Sequence, residues 1–392
     1  MMMAHRILAR LIVGTLTLAT ASLWPAAPAA GAPAEYVVAF HQLPADRSHY
    51  GDDPVVGVND DLRYMVIRAG NPTALEHRAG GDPNVRYYEA DLELYHASLA
   101  PNDPFYAGYQ YDLKPGASNM ELAWAQTKGS TSVKVCIADT GQYREHQDFA
   151  GVAWAEWKDF VAGKTQAYDD HGHGTHVTGT IGAAMDNGKG VAGIAHASLA
   201  GAKVLNRQGS GSVSGVANGI TWCADIGAHV INLSLGGGYS STIEAAVNYA
   251  DAHGSLVVAA AGNDGPCTNC VGYPGALASA FAVACTDPSN QQCSFSSEGP
   301  QVDIAAPGKD IASTYPPLGT CGRKNSNCYV LMSGTSMSTP HVAGLAALVK
   351  SAFPASTNWD LRTRLLSSAL DLGASGADVK YGAGLIQGGA VY

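Results

Sequence analysis

Residues 133–141 read Val-Lys-Val-Cys-Ile-Ala-Asp-Thr-Gly, a short apolar run that stops on an aspartate and a glycine. A near-continuous apolar run of this length reads as a strand buried on both faces of a parallel sheet. Five more runs of the same texture follow Val133–Ala138, at Leu199–Leu205, Val230–Leu235, Leu256–Ala261, Phe281–Cys285 and Val302–Ala305. Between some of them lie small-residue stretches with helical character: His176–Met185, Val213–Cys223, Ser241–His253 and Met337 to about Ala352. Strands alternating with helices predict the α/β class, with a doubly wound, mostly parallel sheet flanked by helices.

This pattern begins near Pro101. Residues 30–97 differ: they hold no cysteine, and three strand-like pieces, Glu35–Phe40, Leu62–Arg68 and Val85–Glu89, are separated by loops rich in Asp, Asn, Pro and Gly. They form a small separate unit. Ahead of them, His5, Arg6 and Arg10 precede the uncharged run Leu11–Leu23, and Ala27-Pro28-Ala29 offers a small-x-small cleavage site. That layout predicts a secretory signal peptide over residues 1–29. The run is shorter than the roughly 20 residues of a spanning helix, and no later stretch is apolar enough to anchor the processed protein in a membrane.

Composition agrees with an exported globular protein. Charged residues are 14% of the 392, against about 25% in an average soluble chain. With 46% hydrophobic residues the chain is too apolar to be disordered. A net charge of −10 without a basic run argues against nucleic-acid binding through phosphates. The 46 glycines imply many tight turns or close backbone approaches. Eight cysteines, all from Cys136 onward, favour disulfides in an exported protein. Eight cysteines allow 105 pairings; Cys285–Cys293 and Cys321–Cys328 close short loops, and Cys267–Cys270 is tight.

In open α/β sheets ligands bind at the carboxyl ends of the strands. The first strand ends in Asp139-Thr140-Gly141, another in Gly262-Asn263-Asp264-Gly265, and a third in Ser234-Leu235-Gly236-Gly237. Two further segments open helices: Asp170-His171-Gly172-His173-Gly174-Thr175-His176 and Ser333-Gly334-Thr335-Ser336-Met337-Ser338-Thr339-Pro340-His341. Singly, each has a plain structural reading: an aspartate after a strand caps, a serine at a helix start is an N-cap, and Gly-Asn is a turn. Together, an aspartate, a histidine and a serine are the parts of a nucleophilic acyl-transfer site.

In that order, VCIADTG, HGTHVTGT, LSLGG, AAAGNDG and GTSMSTPH resemble the motifs of the subtilisin-like (subtilase) serine proteases, over about residues 101–392. The resemblance implies a subtilisin-like catalytic domain over 98–392 that hydrolyses protein or peptide substrates. It makes Asp139 the triad carboxylate, His173 the general base and Ser336 the nucleophile, with Asn263 and the Ser336 N–H stabilising the oxyanion. His176 is then structural and His171 a loop residue. It places the substrate strand along Gly209-Ser210-Gly211 and Ser234-Leu235-Gly236. The P1 pocket lies between Ser234–Gly236 and Ala260–Gly262, including Ala261, with Gly272 near its base. No acidic residue stands there, which implies a broad or apolar P1 preference. Val213 and Val216 rim the P4 pocket. Residues 30–97 become an inhibitory propeptide, a small α+β domain cut off by the enzyme itself between about Tyr95 and Asn102. A structural calcium ion would be held by Asp103, Asp148 and Asn187, with Asp186 nearby. A Cys136–Cys223 bridge would match one in proteinase K-like relatives. Departures are small: Thr178, Ser338-Thr339 and Gln147 replace residues common in the family.

The sequence thus predicts a secreted, extracellular serine endopeptidase, a monomer whose partners are its substrates and its own propeptide. Two rivals stand beside it: a catalytically inactive homologue that binds or inhibits, and a metal-dependent hydrolase built on His171, His173 and His176.

Overall fold

The structure, a computed structural model, describes residues 6–7, 34–91, 100–163, 166–265, 267–321 and 327–392. The apolar leader run and most of the expected cleavage window lie outside these residues. Apart from residues 6–7, the described residues fall into two compact units, 34–91 and 100–392.

The first unit is a five-stranded antiparallel sheet with one helix. Its strands lie in the order His49–Tyr50, Asp53–Asn59, Tyr64–Ala69, Ala34–Phe40, Val85–Ala90. Val38, Phe40, Met65 and Ile67 face Leu75 and Ala79 of the helix Pro72–Gly81 and form the core. Three of the strands match the expected pieces. Asp53–Asn59 escaped because it carries Pro54 and Gly57, alternates between exposed and half-buried positions, and has an irregular register between Val55 and Gly57. The helix escaped because its apolar face is two buried residues wide. It is set instead by Asn71, whose side chain accepts from the Ala74 N–H, and by Pro72 in its first turn.

The second unit is built on seven parallel strands: Gly129–Asp139 (β1), Trp154–Asp159 (β2), His196–Lys203 (β3), Val230–Leu233 (β4), Leu256–Ala260 (β5), Ala280–Thr286 (β6) and Ile304–Pro307 (β7). Their lateral order is β2-β3-β1-β4-β5-β6-β7. The strand order reverses beside β1, so the crevice at its carboxyl end is the ligand position of such a sheet. β1 and β4 pair with Cys136 opposite Ile231 and Ile137 opposite Asn232. The same register carries Asp139 and Ser234 to neighbouring strand ends.

Both sheet faces are covered, as the unbroken apolar runs require. Val135 and Ile137 of β1 point into one core layer with Val177 and Ile181 of the helix His173–Gly182 (α1) and Leu345 and Leu348 of Thr335–Ala352 (α4). Cys136 and Ala138 point the other way, toward Val216 and Ile220 of Val213–Asp225 (α2) and Val247 of Ser241–Ala252 (α3). Cys136 is bonded there to Cys223, and the other bridges are Cys267–Cys270, Cys285–Cys293 and Cys321–Cys328. The edge strand β2, the hairpin Ile311–Tyr315/Cys328–Met332 and the helix Asn358–Ser367 were not anticipated. β2 is half exposed and rich in Trp, Glu and Lys, so it lacks the buried-strand signature.

Candidate active site

Asp139 closes β1 and is fully buried. Its Oδ1 and Oδ2 stand 2.8 and 3.0 Å from His173 Nδ1. The contact needs glycine at 174: a Cβ there would lie 2.2 Å from the Gly141 carbonyl oxygen and 3.1 Å from Asp139 Oδ1. α1 begins at His173, three residues earlier than its apolar pattern suggested, because side chains outside it take the amides of its first turn: His171 Nδ1 that of His173, the Thr140 hydroxyl that of Gly174 and Asp169 that of Thr175. The Asp169 carboxylate accepts from the N–H groups of His171, Gly172 and Thr175. Burial opposes a charged imidazole at His173, but the Asp139 carboxylate and then Asp169 outweigh it and hold its pKa above the ordinary value.

Ser336 is the second residue of α4, where backbone N–H groups have no helical acceptor. Its hydroxyl donates to the Ser234 carbonyl at 3.1 Å, while the Ser234 hydroxyl donates to the Ser336 carbonyl at 2.8 Å. The second bond has a covalent cause. Pro340 lacks the N–H that would otherwise bond to the Ser336 carbonyl in the helix, and Ser234 fills that position. Thr335 donates through both its N–H and its hydroxyl to Asn263 Oδ1, at 2.9 and 3.0 Å. The carboxamide is thereby oriented with Nδ2 as its remaining donor. Asn263 Nδ2 and the Ser336 backbone nitrogen lie 3.5 and 3.6 Å from one point, where a Gly334 Cβ would begin.

His173 and Ser336 open onto one groove of about 560 Å³. Gly209, Ser210, Gly211, Ser234, Leu235 and Gly236 line it, together with Val213 and Val216. Ala261, Gly262 and Gly272 are brought together beside it. The Gly272 N–H donates to the Ala261 carbonyl at 2.8 Å, and a Cβ on Gly272 would meet only the Ala261 and Gly237 carbonyls, each at 3.8 Å. His171 is more than a loop residue, since it lines the groove too. His176 is buried, with Nε2 3.0 Å from the Ile311 carbonyl and its pKa pushed down to about 3 by burial. Among the described residues no group of three His, Cys, Asp or Glu side chains could hold a metal ion.

A family model described as "Subtilase family" matches residues 130–384, well over half of the chain. The chain belongs to the subtilase family. It is 39% identical over 322 residues to the thermophilic serine proteinase of Bacillus sp. (strain AK1), a match covering 82% of this chain and 76% of that one. It is 44% identical over 275 residues to Subtilisin Savinase of Lederbergia lenta, covering 69% and 95%. Among solved structures, a protease of Pseudoalteromonas arctica PAMC 21717 superposes with a TM-score of 0.66 at 31% identity, over 74% of this chain and 98% of that one. This subtilase is therefore a serine endopeptidase of the subtilisin type.

Subtilases commonly bind structural calcium. Asp103 and Asp148 are buried around the loop that carries Asn187. Asp103 Oδ2 accepts from the Asp186 N–H, while Oδ1 has no partner among the described residues. Asp148 accepts from Asn187 Nδ2 and the Val191 N–H, and burial holds its pKa up at about 6. Two buried carboxylates, one of them with an orphaned oxygen, suit a hard cation. The Asp186 carboxylate is engaged elsewhere, with Oδ2 paired to Lys128 and Oδ1 accepting from the Asn102 N–H. Sequence reasoning gave no role to Asp169, Thr140 or Thr335, although Thr140 and Thr335 stand inside the quoted segments, because their bonds are to residues far away in the chain.

Proposed function

We propose that this subtilase cleaves peptide bonds through a Ser336-His173-Asp139 triad and an acyl-enzyme, after export and removal of its own N-terminal unit. The observation that carries this reading is the buried Asp139–His173 pair opening onto the groove that holds Ser336. Asp139 accepts a hydrogen bond from the His173 Nδ1–H and keeps the proton on that nitrogen, so Nε2 is left as the basic nitrogen. The Ser336 hydroxyl turns from the Ser234 carbonyl toward Nε2, gives up its proton and attacks the substrate carbonyl. Asn263 Nδ2 and the Ser336 N–H receive the developing oxyanion. The imidazolium then protonates the leaving amine, and water repeats the sequence on the ester.

The substrate backbone lies as an added strand between Gly209–Gly211 and Ser234–Gly236. The unfilled space at Gly272 and the absence of an acid among Ser234–Gly236 and Ala260–Gly262 support a broad or apolar P1 preference. The leader-like residues 1–29 support secretion, and the small α+β unit within 30–97 is of a size and place to serve as propeptide. Calcium would be held by oxygens of Asp103, Asp148 and Asn187, neutralising two buried carboxylates and tying residues 102–103 to the 186–191 loop.

One experiment separates this reading from its rivals. Hydrolysis of a chromogenic peptide is followed with a serine-directed phosphonate and, in parallel, with chelator and zinc or calcium add-back. Loss with the phosphonate, and rescue of chelated enzyme by calcium alone, is the expected result. No hydrolysis by correctly folded protein would favour the inactive homologue, and rescue by zinc the metal hydrolase.

A further inference from the structure

Four residues before His173, a buried carboxylate joins the two segments that carry the proposed acid and base. Asp169 accepts five hydrogen bonds. Oδ1 takes the Thr140 hydroxyl at 2.8 Å and the N–H groups of His171 and Gly172 at 3.0 and 2.8 Å. Oδ2 takes the N–H and hydroxyl of Thr175 at 2.9 and 2.6 Å. All five partners are donors, the set that an ionised carboxylate satisfies. The two threonines extend the network in opposite directions. The Thr140 hydroxyl accepts from the Gly174 N–H at 2.8 Å, and the Thr175 hydroxyl accepts from the Tyr143 N–H at 3.0 Å. The turn after β1, with Asp139, and the first turn of α1, with His173, are therefore cross-linked twice through one side chain.

We propose that Asp169 is a positioning residue for peptide hydrolysis, which fixes the Asp139–His173 pair in register and adds a second negative charge near the imidazole. This rests on His173 being the general base.

An ordinary helix cap would account for the bonds to His171, Gly172 and Thr175, but not for the link through Thr140 to the strand that bears Asp139. The charge is also specific in its setting. Around His173 stand Asp139, Asp169, His171 and His176, while Asp170 is paired 2.7 Å from the Lys203 ammonium, which also donates to the Thr140 carbonyl. Asp139 and Asp169 are the two groups that raise the His173 pKa against its burial.

The test is steady-state kinetics of the processed protein on a chromogenic peptide across pH, with Asp169→Asn, Thr140→Val and Thr140→Ser. Asp169→Asn keeps the shape but removes the charge and turns an amide donor against Thr175. Its kcat is expected to fall about tenfold to hundredfold with KM changed less than about threefold. The acid limb of kcat/KM should move to lower pH, because the imidazolium loses a favourable charge. Thr140→Val breaks one link but keeps the carboxylate. It should lower kcat with the limb unmoved, and Thr140→Ser should restore it. A folded Asp169→Asn protein with parental kcat and an unmoved limb would overturn the proposal. If Asp169→Asn does not fold, parental kcat in Thr140→Val overturns it instead. His173→Ala and Ser336→Ala run alongside: hydrolysis surviving in these would sink the triad itself, whereas loss in these with parental rates in the others would sink only the role of Asp169.

Discussion

At Asn263 a single hydrogen-bonding group is set by its neighbour. Thr335 occupies Oδ1 twice and so determines which end of the carboxamide is left to donate. Asn263→Ala removes that donor while leaving Asp139, His173 and Ser336 in place. We expect kcat to drop by about 10²–10³, the range found when one such donor is removed from subtilisin. KM should change little, since the bond forms only as the oxyanion develops. The same scale sets the pH dependence. His173 must be neutral to act as base, and its pKa is raised in the fold. Protonation therefore sets in at higher pH than for a free imidazole, and the acid limb of kcat/KM should lie above the free-imidazole value. A limb below that value would mean that burial outweighs the two carboxylates.

Among the elements, β1 carries the most. It is the strand at which the sheet order reverses, it ends on Asp139, and it is clamped to the end of α2 by Cys136–Cys223. That bridge closes a loop with a sequence separation of 87. Replacing both cysteines with serine should cost about 2–5 kcal/mol, read as a lower midpoint in denaturant, because the unfolded chain regains the freedom of a long loop. An unchanged midpoint would show that the sheet alone holds this region. Element boundaries show where the sequence is silent. The central strands were legible because burial on both faces demands an unbroken apolar run. The start of α1 was not, because its first amides are taken by His171, Thr140 and Asp169, and periodicity carries no trace of bonds made by side chains outside the helix.

For the whole molecule, the division into a small antiparallel unit and a parallel-sheet unit makes processing testable. If the second unit removes the first, Ser336→Ala should accumulate as a protein that still carries residues 30–97, detected by N-terminal sequencing. Addition of active enzyme should convert it. Normal processing of the purified variant on its own would refute self-cleavage. The cation proposal also belongs at this scale. Chelator should lower the melting temperature of the parent, and Asp148→Asn should bring the midpoint down and make it insensitive to chelator. A parent midpoint that chelator does not move would count against calcium.

Strand and helix ends marked by glycine, proline and small polar residues were legible in the sequence, and the resemblance of those segments to subtilase motifs is what singled out Asp139, His173, Asn263 and Ser336 among them. The sheet was determined at the same level, since only a doubly covered strand tolerates runs such as Val-Lys-Val-Cys-Ile-Ala. What the tertiary structure alone decided is which polar groups meet. Asp169 and Thr140 are far apart in sequence and each has an ordinary local explanation. Their hydroxyl–carboxylate bond exists because β1 and the start of α1 are packed within a glycine's thickness. Likewise, Ser234 reaches the Ser336 carbonyl because the N-terminal turn of α4 is packed at the carboxyl end of β4, and Pro340 leaves that carbonyl without a helical donor. Covalent order determines where a chain can turn, and packing determines which side chains are then close enough to bond.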